Sequence, residues 1–245
     1  MNLEKFIIKA MKLKLLIFKN KCGPYYFTKI LQKEGIDIGS HTIFYNPRSQ
    51  VIDRERPWML KIGDYCKITA GTTILCHDYS RSVIRRAYGD VIGEAKETII
   101  GDNVFIGVNS TILMGTHIGS NVIVGAGSVV SGTFPDNCVI AGNPAKVIRS
   151  LDEHYAIRKE KTKEEAKVYY TTFVDKYKRE PSEAEMGPFF PLFMERSRDA
   201  LKEKKIKLMF NGDESEDVVQ KFLQTTTEFG DFDEFKKWAR EIERR

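Results

Sequence analysis

The chain carries four histidines, and only His77 stands where a regular pattern breaks. An imidazole with an ordinary pKa near 6.5 takes up or releases a proton close to neutral pH, which makes His77 the first residue to weigh for proton transfer. Residue type alone leaves two readings open, an ordinary surface histidine and a proton carrier. His117 sits at a corner of the regular pattern, His41 in a weaker stretch and His154 in a charged segment. Cys76 directly precedes His77, which raises a thiol nucleophile. Adjacent strand residues point to opposite faces, however, so Cys76 is expected to pack inward while His77 points out. Cys22, Cys66, Cys76 and Cys138 lie far apart with no metal-ligand spacing, and they read as reduced thiols.

The element that must position His77 is written most clearly from Ile100 to Pro135. A branched aliphatic residue returns every six positions, at Ile100, Ile106, Ile112, Ile118, Val124 and Val130, usually followed by glycine. Six is neither the 3.6 of an amphipathic helix nor the 2 of an alternating strand; it calls for a short strand and a corner in each hexapeptide. Gly, Asn, Asp and Ser supply corners because they accept tight and left-handed backbone. The aliphatic residue points inward, and Val104, Ser110, Thr116, Val122 and Ser128, four places later, are small or branched enough to share a narrow interior. Three hexapeptides close one triangular coil, with coils stacked about 4.8 Å apart.

Taken in order, residues 1–35 read as a helical cap. Phe6, Ile7, Met11, Leu15 and Ile17 form an apolar stripe flanked by Lys5, Lys9, Lys12, Lys14, Lys19 and Lys21, with a break at Cys22-Gly23-Pro24. The preferred reading covers the open end of the coils; the other is peripheral contact with an anionic membrane surface. The coil domain is assigned to residues 36–150. Its phase starts at Ile38 and Phe44, lapses when a count of six lands on Gln50 and Arg56, and resumes at Ile62, Ile68 and Ile74. From Ile74 to Ile100 is 26 residues, no multiple of six, so residues 77–99 read as a loop expelled between coils and ordered by its aromatic and aliphatic side chains. Residues 151–245 form a charged helical extension, with stripes at Ala166, Tyr169, Phe173 and Tyr177 and at Phe232, Phe235, Trp238 and Ile242, a Ser182/Glu185 capping box and a turn at Asn211-Gly212-Asp213.

Thirty-nine basic residues among 34 acidic ones leave a formal charge of +5, too evenly spread for a nucleic-acid footprint but compatible with a small anionic ligand. The N-terminal apolar residues are interrupted by lysine too often for a signal-peptide core, and a cytoplasmic location is expected.

Three stretches together, GTTILCHDYSRSVI, IGDNVFIG and AGNPAKVIRS, resemble the hexapeptide-repeat acyltransferases, and in particular the sugar and polysaccharide O-acetyltransferases similar to the maltose and galactoside enzymes. Ile52-Asp53-Arg54-Glu55-Arg56-Pro57-Trp58 and Cys76-His77-Asp78-Tyr79-Ser80 carry the same likeness, which covers about residues 36–150. The resemblance implies a mainly β, left-handed parallel β-helix; the left hand does not follow from periodicity. It implies that His77 is the general base, taking the proton of a sugar hydroxyl as it attacks the thioester of acetyl-CoA. Asn46 matches an acceptor-binding position, with Asp53, Arg56 and Trp58 as further acceptor-pocket residues that equally well staple a bulge. Ala126 and Ser131 match positions along the pantetheine arm, and Lys146 and Arg149 match basic residues that meet the CoA phosphates.

The expected protein is a homotrimeric, metal-independent acetyltransferase acting on a sugar hydroxyl of a surface-polysaccharide or glycan precursor. Three rivals are carried. N-acetylation of an amino sugar is barely separable by sequence. A metal site on the same fold would need further histidines spaced along the coils, and His77 has none within thirty residues. A non-catalytic glycan-binding trimer would bind sugar without CoA.

Overall fold

The computed structural model describes residues 7, 9, 10, 13, 24–203 and 216–241. The lysine-flanked stripe other than Ile7 and Lys9, the Cys22-Gly23 break, the Asn211-Gly212-Asp213 turn and Ile242 lie outside the described residues. The chain divides into two units, Met1–His154 and Tyr155–Arg245. No described helix is long and apolar enough to cross a membrane.

The first unit is a left-handed parallel β-helix built on three sheets. One face stacks Asp37–Ile38, Leu60–Ile62, Thr98–Ile100, His117–Ile118 and Thr133–Phe134. The second stacks Ile43–Phe44, Lys67–Ile68, Phe105–Ile106, Val122–Val124 and Cys138–Gly142, with Ala145–Ser150 antiparallel at its end. The third stacks Val51–Ile52, Thr73–Ile74, Thr111–Ile112 and Val129–Val130. Register follows the hexapeptide: Ile38, Ile62, Ile100, Ile118 and Phe134 form one inward column. Phe44, Ile68, Ile106, Val124 and Ile140 form another, and Ile52, Ile74, Ile112 and Val130 the third. All fourteen side chains are buried. Burying one such side chain is worth about 1.5–3 kcal/mol, so these columns dominate the stability of the unit.

The small residues expected inside are also buried, and their hydroxyls find backbone partners. Ser110 Oγ and Ser128 Oγ both donate to the Gly125 carbonyl, at 3.0 and 2.6 Å, and Thr116 Oγ1 donates to that of Leu113 at 2.6 Å. These bonds allow polar groups in a dry prism. At one corner of successive coils Tyr65, Asn103, Asn121 and Asn137 adopt φ of 58°, 52°, 58° and 56°. Asn103 donates to Asn121, and Asn121 to Asn137, at 2.8 and 3.0 Å. Gly63 is needed at the preceding bend because a Cβ there would lie 2.2 Å from Asp102 Oδ1 and 2.7 Å from the Gly101 backbone.

The lapses in the repeat have local causes. Two extra residues and a 3₁₀ turn at Pro47–Ser49 delay the third-column residue from position 50 to Ile52. The displaced Gln50 turns its amide to the Tyr45 and Thr69 carbonyls, at 2.9 and 2.8 Å. A second 3₁₀ turn, Pro57–Met59, carries the chain to Leu60. The inserted loop ends at Glu97 rather than 99, because Thr98 fills an inward slot of the next coil and donates to the Leu75 carbonyl at 2.8 Å. Within it Arg81–Tyr88 is helical, started beside Ser80 and stopped by Gly89 at φ 74°. The open end of the first coil is covered by the helix Pro24–Lys33: Phe27 meets Phe44 edge-on at 5.4 Å, and Thr28 Oγ1 donates to the Thr42 carbonyl at 2.9 Å.

The second unit is helical. The helix Leu151–Tyr177 begins at a capping box in which Ser150 and Glu153 exchange bonds of 2.7 and 3.1 Å. Its buried residues are Ala166 and Tyr170; Tyr169 and Tyr177, read from the sequence as one stripe with Ala166, are exposed. The core instead gathers Tyr170, Phe193, Phe229, Phe232 and Phe235, with Trp238 packed against them. Ser182 and Glu185 form the capping box read from the sequence.

Candidate active site at the neck of the inserted loop

Three backbone stretches meet around His77. The register that pairs Ile52 with Ile74 runs the residues after Ile52 alongside those after Ile74, and the Asp53 N–H extends that ladder to the Ile74 carbonyl at 2.9 Å. Asp53 is thereby brought to His77 across 24 positions of sequence. On the third side His77 forms a bridge with Ala95, and the Lys96 N–H donates to the Cys76 carbonyl at 3.0 Å, which closes the neck of the loop. The Asp78 carboxylate then accepts the Ser80 N–H at 2.5 Å and turns the chain into the short helix.

Asp53 was expected in an acceptor pocket or as a bulge staple. Its side chain is wholly removed from solvent and faces the protein, accepting the Cys76 N–H at 3.0 Å, the Glu55 N–H at 3.1 Å and a hydrogen bond with His77 Nδ1. It therefore stands behind the histidine rather than in front of an acceptor. Burial acts to raise its pKa, but the bonds to His77, Cys76 and Glu55 outweigh burial and hold the carboxyl below its ordinary range. An ionised carboxylate only accepts, so Nδ1 carries the proton and Nε2 presents its lone pair. The His77 side chain is 21% exposed. In this arrangement Nε2 can take a proton, while Asp53 fixes the tautomer and stabilises the imidazolium that results.

Glu55 was not singled out by the sequence reading. Its Oε2 lies 3.8 Å from His77 Nε2 and 3.4 Å from Arg56 Nη1, so Arg56 reaches the histidine only through Glu55. The signal was present in hindsight: Glu55 stands two residues after Asp53 on the same turn. Cys76 is buried, burial pushes its pKa up, and its thiol lies 3.3 Å from the Met59 carbonyl, an inert packing group rather than a nucleophile. Among the described residues no three His, Cys, Asp or Glu side chains gather as a metal site.

The remaining candidates are spread over coil corners, a 3₁₀ turn and the terminal hairpin. Asn46, in left-handed backbone at φ 50° and exposed, occupies the corner after Phe44; Ala126 occupies the same corner after Val124. Ser131 follows Val130 on the edge where Asp53 follows Ile52, two coils from His77 or roughly 10 Å along the axis. Lys146 and Arg149 stand opposite Ala141 and Val139 in the terminal hairpin. Trp58 is 70% exposed on its 3₁₀ turn. Of the candidates, only Asp53 directly and Arg56 through Glu55 are brought to His77 by the recorded contacts.

Residues 97–131 match the family model described as the hexapeptide repeat of succinyl-transferase. Protein CapG of Staphylococcus aureus is 34% identical over 124 residues, covering 51% of this chain and 71% of CapG. The putative lipopolysaccharide biosynthesis O-acetyl transferase WbbJ of Escherichia coli K12 is 54% identical over 59 residues, 24% of this chain and 30% of WbbJ. A 2,3,4,5-tetrahydropyridine-2,6-dicarboxylate N-acetyltransferase of Clostridium perfringens is 53% identical over 55 residues, 22% of this chain and 23% of that protein. The chain thus spans most of CapG but less than a third of the other two. With three stacked aliphatic columns, a matching repeat model and a relative aligned over most of its length, the chain belongs to the hexapeptide-repeat acyltransferase family.

Proposed function

We propose that this acyltransferase moves an acetyl group from acetyl-CoA to a sugar hydroxyl of a surface-polysaccharide or glycan precursor, with His77 as general base. The observation that carries the reading is the His77–Asp53 pair at the neck of the inserted loop. A sugar hydroxyl is a poor nucleophile. Nε2 removes its proton as the oxygen attacks the thioester carbonyl; the C–S bond then breaks, and the proton held on Nε2 goes to the departing CoA thiolate. Asp53 remains ionised and holds the ring. Base catalysis of this kind contributes about 10²- to 10⁴-fold, and alignment of the two substrates contributes the rest.

Acetyl-CoA would lie along the third sheet, its pantetheine arm near Ala126 and Ser131 and its phosphates near Lys146 and Arg149. Asn46, Arg56 and Trp58 are assigned to the acceptor side. The exposed apolar residues of the inserted loop, Val83, Tyr88 and Val91, support assembly into a homotrimer in which a neighbouring subunit covers them. The description of the Escherichia coli relative as a lipopolysaccharide O-acetyl transferase supports the choice of a glycan hydroxyl.

N-acetylation is the second reading, favoured by the Clostridium perfringens relative. The two are separated by offering the purified protein acetyl-CoA with matched hydroxy and amino sugars and identifying the product by mass spectrometry and alkaline lability. An alkali-labile ester on a sugar is the expected product. An amide would replace the O-transfer reading, and sugar binding without thiol release would replace both with a glycan-binding role.

A further inference from the structure

The helical unit contains a groove of about 570 Å³ with no part in the chemistry above. That volume lies within the range of about 300–1,000 Å³ usual for small-molecule sites. Its walls combine flat apolar surface from Tyr155 and Phe222 with the polar side chains of Thr162, Gln224 and Thr225. Three cations also line it, Arg158, Lys159 and Arg196, against a single acid, Glu228.

The cations differ in how their charge is met. Arg158 is held in a two-pronged pair with Glu165, at 2.8 and 2.6 Å. Arg196 has only neutral partners in its recorded bonds. Its guanidinium donates to Thr225 Oγ1 at 2.8 Å and to the carbonyls of Met194 at 2.8 Å, Pro191 at 2.6 Å and Thr226 at 3.2 Å, and it stacks 4.5 Å from the centre of the Phe222 ring. These bonds explain its position and leave its charge uncompensated. Arg196 is half-buried, so that charge is poorly screened by water. Lys159 enters no ion pair among the described residues.

We propose that this groove binds an anionic sugar group, a carboxylate or phosphate carried on a hydroxyl-rich ligand. Arg196 and Lys159 meet the anion, Thr162, Gln224 and Thr225 meet hydroxyls, and the exposed Tyr155 ring offers its face to the apolar side of a sugar ring. The anion site stands independently of the acetyl-transfer reading. Its further assignment, to an acidic residue of the acceptor chain, rests on that reading.

The test is calorimetric titration of the full chain with D-glucuronate, with glucose 1-phosphate and with uncharged D-glucose, repeated on Lys159→Glu. Lys159 is exposed on its helix, so the variant should fold with an unchanged Tm. At least one anion should bind about tenfold more tightly than glucose, and Lys159→Glu should lower that affinity about tenfold while leaving glucose unaffected. The arm that binds identifies carboxylate or phosphate as the recognised group. Equal affinity for charged and uncharged sugars, no anion binding, or an unchanged affinity in Lys159→Glu overturns the site. Acetyl transfer to a small uncharged acceptor is followed separately; it should be the same in both proteins, so loss of that activity in wild type counts against the transferase reading and not against the anion site.

Discussion

Replacing Asp53 by Asn keeps the shape of the side chain and removes its charge. In the native site that charge accepts two backbone N–H bonds, from Cys76 at 3.0 Å and Glu55 at 3.1 Å, and the bond with His77 Nδ1, in a position closed to solvent. A hydrogen bond to a charged group is worth about 1.5–3 kcal/mol. If the imidazolium forming in the transition state loses that support, kcat/KM falls about 10- to 150-fold, since 1.36 kcal/mol is one decade of rate. The assay is free-thiol release from acetyl-CoA with a saturating acceptor between pH 5 and 9, beside a measurement of Tm to show that the variant is folded. A folded Asp53→Asn protein within about twofold of wild type would refute the pairing of Asp53 with His77 as part of the mechanism.

Three further outcomes follow from the structure. Because Asp53 has a folded-state pKa below the roughly 3.9 of an unfolded aspartate, its contribution is complete above about pH 4 and is lost as pH falls through the folded value. Urea unfolding from pH 5 to 2 should therefore show a shallower acid loss in Asp53→Asn than in wild type. Ile112 stands between Ile74 and Val130 with no exposed surface, so Ile112→Ala should cost about 2–5 kcal/mol, read as a lower denaturation midpoint with an unchanged slope. Cys76→Ala should retain most activity, and intact-mass spectra of wild type mixed with acetyl-CoA should show no acyl-enzyme; a covalent adduct on Cys76 would reverse the assignment of that thiol.

The repeat was legible because each inward slot admits one kind of side chain. The aliphatic spacing from Ile100 to Val130 specified the register, and the small residues Ser110, Thr116 and Ser128 entered the interior as their phase required. The left hand was not in the spacing and came only with the likeness to a family. Where the period failed, a local count gave the wrong slot. Gln50 fell on a third-column position by sixes, but a 3₁₀ turn adds two residues and hands that position to Ile52. The same shift hid the site. Asp53 reaches His77 only because Ile52 and Ile74 are paired, a relation across coils that no local pattern in either segment reveals. The helix Arg81–Tyr88 is not legible in the repeat although Ser80 and Gly89 mark its ends, because no residue on it is buried and the sixfold pattern offers no phase there. On the helix Leu151–Tyr177 the stripe through Ala166, Tyr169 and Tyr177 does not mark the buried face, since an exposed aromatic stripe and a buried one share the same spacing; packing selects Tyr170.

The central claim is that the imidazole of His77 performs base catalysis in acetyl transfer. Its most direct test is to measure acetyl-CoA binding and acceptor-dependent thiol release for wild type and His77→Ala side by side. The account predicts equal affinity for acetyl-CoA, with thiol release lowered about 10²- to 10⁴-fold in the variant. Thiol release by His77→Ala at the wild-type rate would contradict it.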